Sequence, residues 1–272
     1  MVVFICIIAV IIIILWAVLH PGHVTQAQRD MVYGISFAHR GLHIPDKSIP
    51  ENSLMAFKAA SAAGYGIELD IQLSRDSYVV VFHDDTLPRV TGKTGRVDDY
   101  LLTQLKKFHL CGTNEQIPLL TEVLDVVAGR VPIIIELKTG PRNTELCEKA
   151  MQILDSYEGV YCIESFDPRI VAWFKKHRPI ILRGQLSDST ANFKDQPKIQ
   201  AIALGNLLTN IIARPQFIAY GSGKKSIFVK LVEYMGAIKV RWTVHPENDV
   251  EQINEDNDAV IFEFYMPEVK YK

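Results

Sequence analysis

Cysteine pairs at metal-site or redox spacing are missing from this 272-residue chain. Its four cysteines are Cys6, Cys111, Cys147 and Cys162. No two of them form a Cys-x-x-Cys, which excludes a zinc ribbon and a dithiol redox motif. Cys6 lies in an apolar N-terminal run, so the rest of the chain holds an odd number. Reduced, buried thiols in a reducing compartment are therefore expected rather than a disulfide framework. Charge of either sign is also scarce in net terms. A net charge of −2 with no run of like charges leaves no footprint for binding a nucleic acid. Internal repeats and low-complexity tracts are absent as well, which sets aside a repeat architecture.

Basic residues are lacking at the very start. Val2–Leu19 reads VVFICIIAVIIIILWAVL, 18 apolar residues without a charge. At 1.5 Å per residue a helix of that length spans roughly 27 Å, close to the hydrocarbon thickness of a bilayer. A cleaved signal peptide calls for a basic start, a shorter apolar run and a small-x-small cleavage site. None of these is present, and Pro21-Gly22-His23 is a poor cleavage site. Residues 1–20 are therefore expected to be an uncleaved transmembrane anchor and residues 21–33 a linker. No Lys or Arg precedes the run and Arg29 follows it, so the positive-inside tendency places the remaining chain in the cytoplasm of a single-pass membrane protein.

From residue 34 to 272, apolar β-rich runs alternate with helical patterns. Strands are expected at 35–39, 66–73, 131–137, 160–165, 180–186, 216–220, 238–244 and 259–264. Helices are expected at 53–63, 119–128, 143–156, 168–176, around 202–213, at 224–235 and at 247–255. The strands are mostly solid apolar runs, as parallel strands covered by helices should be. Eight such strands imply an α/β fold, a (β/α)8 TIM barrel. One segment breaks the alternation. Val79-Val80-Val81-Phe82-His83 is strand-like but follows Leu73 after only five residues, which suits a hairpin and cannot hold a crossover helix. Ser74-Arg75-Asp76-Ser77 supplies the turn chemistry. Pairing positions whose numbers sum to about 153 sets Asp70 opposite His83, with Glu68 two residues away on the same face. Residues 75–117 then form a small insertion after the second strand, with a short helix near 102–108.

The chemistry concentrates in a few short stretches. Glu68 and Asp70 alternate along one strand, and two neighbouring carboxylates in an apolar barrel repel each other and lose hydration. A cation resolves both problems. Glu136 ends the apolar run Pro132 to Ile135, with Lys138 two residues on, at the strand end where barrels place their active sites. Three carboxylates suit a hard divalent ion, Mg²⁺ or Ca²⁺. His39 and His83 both fall at strand ends beside acids, so they are expected to move protons. Arg40 can fork onto phosphate oxygens. Glu51 is expected either to pair with Arg40 or to join the metal site. Trp242 is expected either to wall the pocket or to fill the core. His20, His23, His43, His109, His177 and His245 lack this context and read as ordinary surface or packing residues.

These residues carry a resemblance. His39-Arg40-Gly41, Pro50-Glu51-Asn52-Ser53, Glu68-Leu69-Asp70 and His83-Asp84, with Thr86-Leu87 and Arg89, resemble the glycerophosphodiester phosphodiesterase family. The likeness continues through Ile117-Pro118-Leu119, Glu136-Leu137-Lys138, Glu164 to Pro168 and Trp242-Thr243-Val244, covering essentially everything after residue 33. The resemblance implies a TIM barrel with an early insertion. It places metal ligands on Glu68, Asp70 and Glu136, an acid/base pair on His39 and His83, a phosphate-contacting cation on Arg40 and a further basic position on Lys138. The implied reaction is metal-dependent hydrolysis of a glycerophosphodiester to an alcohol and sn-glycerol 3-phosphate. The last strand, Val260 to Tyr265, replaces the more usual Gly-rich, Thr-Asp ending, and Asp76-Ser77 stands where the family often has Asp-Gly. The anchor is similar to that of membrane-tethered bacterial members. It raises an alternative, a lysophospholipase D-like reaction on lipid-derived diesters. A non-catalytic tethered barrel is the other alternative, and it predicts losses among the chemical residues that the chain does not show.

Overall fold

The computed structural model describes residues 1–221 and 223–268. Nine strands form one sheet: β1 (Ser36–Ala38), β2 (Gly66–Leu73), β3 (Val79–Val81), β4 (Ile133–Leu137), β5 (Tyr161–Ser165), β6 (Arg183–Ser187), β7 (Phe217–Tyr220), β8 (Ile238–Val244) and β9 (Ala259–Phe262). Their order is β1-β9-β8-β7-β6-β5-β4-β2-β3, and a β1–β2 pairing closes the ring. Eight strands run parallel around it, and β3 pairs antiparallel on the outside of β2. This is the expected (β/α)8 barrel.

Two apolar layers hold it. Outside, Ile67, Leu69, Ile71, Ile133, Ile135 and Ile163 pack with Phe57, Ala60, Leu120, Val123, Leu146 and Phe174 of the surrounding helices. Inside, Phe37, Ile134, Cys162, Phe217, Ala219, Ile238 and Ile261 fill the floor. The alternation of a strand separates the two sets. Gly66 is required at the floor, because a Cβ there would meet Phe37 Cδ1 at 2.5 Å. The helix Leu54–Ala63 shows how local chemistry places such a layer. Ser53 caps it by accepting from Ala56 N at 3.1 Å, a contact worth about 1 kcal/mol. Gly64 ends it at φ +80°.

Higher in the barrel the lining changes character. Two residues above Ile134 stands Glu136, and two above Cys162 stands Glu164. The register sets Asp70 beside Glu136 and Glu136 beside Glu164 across adjacent strands. Acids therefore crown an apolar floor at the C-terminal ends of the strands.

The apolar helix Val2–Leu19 meets the barrel at the opposite end. Leu19 O accepts from Asn210 Nδ2, and Arg214 donates to the carbonyls of Ala17 and His20. Gly22 N bonds Pro215 O, and Gln216 Nε2 donates to His23 O. Pro215 and Gln216 lie just before β7, so these contacts mark the N-terminal rim. The stretch expected as a linker also carries a short helix, Gln26–Asp30, capped by Thr25.

Two further details differ from the sequence reading. The β2–β3 pairing sums to 152, with Ile71 opposite Val81, so Phe82 rather than His83 aligns with Asp70 and its N–H donates to Asp70 O at 3.0 Å. The single helical stretch expected around 202–213 is broken into Lys198–Gly205 and Asn210–Ala213, preceded by the 3-10 turn Thr190–Asn192. The insertion has its own core of Val80, Phe82, Leu87, Val90, Val97, Leu105, Leu110 and Ile117, which explains why so short a segment stays ordered.

Candidate active site

Glu68, Asp70 and Glu136 converge: each offers a carboxylate oxygen within 4.8 Å of the others. All three are buried, as is Glu164, whose Oε2 has no partner. Two cations reach this group. Lys138 Nζ lies 2.8 Å from Glu136 Oε1 and 3.3 Å from Asp70 Oδ1. Arg40 Nε lies 3.6 Å from Asp70 Oδ2, and its backbone N–H donates to Glu68 Oε2 at 2.9 Å.

The charges do not balance. Burial, reinforced by the negative charges of Asp70, Glu164 and Glu136, pushes the Glu68 carboxyl well above its usual range. Burial raises Glu136 and Glu164 too, with Lys138 opposing. Burial also opposes ionisation of Asp70, but Lys138, His83, Arg40 and the Asn52 amide outweigh it and hold that carboxyl low. Four buried acids thus face two half-buried cations. A divalent cation would neutralise the remainder, and an all-oxygen donor set suits a hard ion. The residues fit the metal that the motif implies.

The two imidazoles flank this cluster. His39 follows β1, with Nε2 4.0 Å from Glu68 Oε2. Burial lowers its pKa, against the Glu263 hydrogen bond and with the help of Arg40. His83 follows β3. Gln72 holds the loop that carries His83, donating from Nε2 to Phe82 O at 2.8 Å and to Asp84 O at 2.9 Å. Asp84 Oδ1 accepts from His83 Nδ1 at 2.6 Å. With Nδ1 engaged, Nε2 is the nitrogen left for other chemistry.

Glu51 takes the first of its two expected places. It accepts from Arg40 Nη1 at 2.8 Å and from Arg89 at 2.6 and 2.7 Å. Arg89 grips Asp84 in turn. The series Arg40–Glu51–Arg89–Asp84–His83 therefore ties both halves of the site together. Trp242 lines a cavity of about 590 Å³ with Thr139, Phe166 and Phe193, and its Nε1 donates to Ala219 O at 2.9 Å. Trp242 also packs against the apolar floor of the barrel and edge-on to Phe166, with centroids 5.6 Å apart.

Sequence reasoning missed several partners. Asn52 Nδ2 donates to Asp70 Oδ2 at 2.8 Å. Its φ of +52° is tolerated by Asn better than by most residues. Glu164 was visible only as part of a motif. His43 is no ordinary surface residue, since its Nε2 donates to Glu263 Oε1 at 2.7 Å. His245 Nε2 stands 3.7 Å from Glu263 Oε2. The His43–Glu263 contact joins loops 220 residues apart, so no local pattern announces it.

Comparison with known proteins points to one family. The model of the glycerophosphoryl diester phosphodiesterase family matches residues 39–265. A glycerophosphodiester phosphodiesterase of Caldanaerobacter subterraneus is 33% identical over 230 residues, covering 79% of this chain and 88% of its own. A phosphodiesterase of Oleispira antarctica, solved in complex with the product sn-glycerol-3-phosphate, shares the fold at a TM-score of 0.71 and 24% identity, over 85% of this chain and 93% of its own. A glycerophosphodiester phosphodiesterase from Thermotoga maritima superposes at a TM-score of 0.63 with 26% identity, over 84% and 93%. With its barrel, its acidic crown and these relatives, the chain belongs to the glycerophosphoryl diester phosphodiesterase family.

Proposed function

We propose that this chain hydrolyses glycerophosphodiesters to an alcohol and sn-glycerol 3-phosphate, using Glu68, Asp70 and Glu136 to hold Mg²⁺ or Ca²⁺ and His39 and His83 as the acid/base pair. One observation carries the reading: three buried carboxylates meet at the barrel mouth, with His39 Nε2 4.0 Å from Glu68 Oε2. When bound, the ion supplies Lewis-acid stabilisation of charge at phosphorus. The chain's own groups do the rest. Arg40 and Lys138 bring positive charge to the phosphate oxygens. Nε2 of one histidine takes a proton from the nucleophile, which is water or the glycerol 2-hydroxyl acting through a cyclic phosphate. The other histidine protonates the leaving alcohol.

The position of Val2–Leu19 bears on the substrate. If that helix anchors a single-pass membrane protein with its barrel in the cytoplasm, it holds the barrel by its N-terminal rim. The site then opens at the far end, toward water. A water-soluble glycerophosphodiester fits this arrangement better than a lysophospholipid in the anchoring bilayer. Release of glycerol 3-phosphate from glycerophosphocholine and of choline from lysophosphatidylcholine, assayed side by side with Mg²⁺, Ca²⁺ or EDTA, tests both the reaction and the substrate. Activity on the lysolipid alone would overturn the assignment.

A further inference from the structure

His83 and His39 are held in the same way, but by unrelated carboxylates. His83 donates from Nδ1 to its neighbour Asp84 at 2.6 Å. His39 donates from Nδ1 to Glu263 Oε1 at 3.4 Å, and Glu263 is 224 residues away, just past β9. Its position belongs to the strand ending that departs from the family's usual sequence.

The surroundings of Glu263 are built to aim it. Its N–H donates to Val244 O at 2.9 Å. His43 donates to the same Oε1 at 2.7 Å, and His245 faces Oε2 at 3.7 Å. The next residue, Phe264, adopts φ +63°, an uncommon conformation for a bulky side chain and the kind of strain found where a site must be shaped. That backbone sets the Phe264 ring edge-on to His43, with centroids 5.1 Å apart. The ring also lies 6.0 Å from His245. Two histidines and a strained phenylalanine thus hold one carboxylate against a third histidine.

Resting on the reading of His39 as one of the acid/base pair, we infer that Glu263 is the positioning residue of His39. It fixes the ring with Nδ1 protonated, which leaves Nε2 bare and pointed at the acidic cluster. His43 and Phe264 keep Glu263 in place. Without it, the neutral ring would be free to rotate or to carry its proton on Nε2, where it could not accept one.

The test compares full-length wild type with Glu263→Ala, Glu263→Gln and Glu263→Asp at fixed pH and saturating Mg²⁺. Steady-state constants for glycerophosphocholine are measured together with ¹⁵N-histidine spectra, in which His39→Ala identifies the His39 signals. Wild type should show the Nδ1–H form of His39. Glu263→Ala should lose it and drop kcat by about 10- to 100-fold with KM within threefold. Glu263→Asp should recover part of both. Glu263→Gln, which preserves volume, keeps the test sound if the alanine variant folds poorly. His43→Ala should lower kcat less than Glu263→Ala. An unchanged His39 tautomer in Glu263→Ala and Glu263→Gln would overturn the inference, as would kcat above half of wild type in both. The spectra do not depend on turnover. A wild-type Nδ1–H form that disappears in Glu263→Ala while His39→Ala stays fully active would upset the catalytic reading of His39 and leave the hydrogen bond established.

Discussion

Lys138 and Glu136 share a strand face, and their side chains meet at 2.8 Å with Asp70 a further partner of the same ammonium. The lysine thus sits among the carboxylates proposed to bind the ion. Two positive groups in one pocket repel, so replacing Lys138 with Met should tighten Mg²⁺ binding, on the order of tenfold. The same change should lower kcat by about 100-fold, since charge on the phosphate oxygens is lost. Calorimetry and steady-state kinetics on one preparation separate the effects. Weaker metal binding in Lys138→Met would show that the lysine serves the acids rather than the substrate.

Either histidine should be indispensable. His39→Ala and His83→Ala are each expected to cut kcat by about 10²-fold or more. Circular dichroism should show an intact barrel, because both rings lie at the mouth and outside the packed layers. Wild-type rates from both variants would exclude acid/base roles.

Gln72 supports His83 at a distance. Gln72→Ala removes two donor contacts to the loop. A cost of about 1 kcal/mol in stability and about a tenfold fall in kcat are expected, with little change in metal affinity. Urea melts and kinetics together check this. A rate that survives with the stability loss intact would limit Gln72 to holding the hairpin.

A surface pair gives a pH signature. Arg142 first, and then Ser77, hold the Glu145 carboxyl down to about 2 from its ordinary 4.5. A folded pKa below the unfolded one stabilises the fold above 4.5, and that contribution is lost as pH falls toward 2. The stability difference between wild type and Glu145→Gln should therefore shrink across this window. The pair is partly exposed, so the difference at neutral pH should stay below about 1 kcal/mol. A difference that grows on acidification would contradict the ion pair.

Much of the barrel was legible in the chain because solid apolar runs such as Pro132–Ile135 leave few other folds. Glu68, Asp70 and Glu136 stood out for the same reason, as charges interrupting buried strands. The hairpin register was harder. Turn residues leave it free by one position, and the bond from Phe82 N to Asp70 O that fixes it depends on the insertion's own core. Ser77, noted in the sequence as a departure from glycine, adopts φ +67°, and its hydroxyl bonds Glu145 and Arg142. The contacts of His39 and His43 with Glu263 are made only by ring closure of β1 with β9. No periodicity along the sequence encodes which loop tips meet.

The cation is the point on which the chemistry turns. The full-length protein, stripped with EDTA and titrated with Mg²⁺ or Ca²⁺, should release glycerol 3-phosphate in proportion to ion bound. At 100 times Kd the ion should also stabilise the fold by about 2.7 kcal/mol. Asp70→Asn should lose both responses together. Full hydrolysis in the presence of EDTA, or a metal response undiminished in Asp70→Asn, would contradict the proposal that these buried carboxylates hold the ion on which turnover depends.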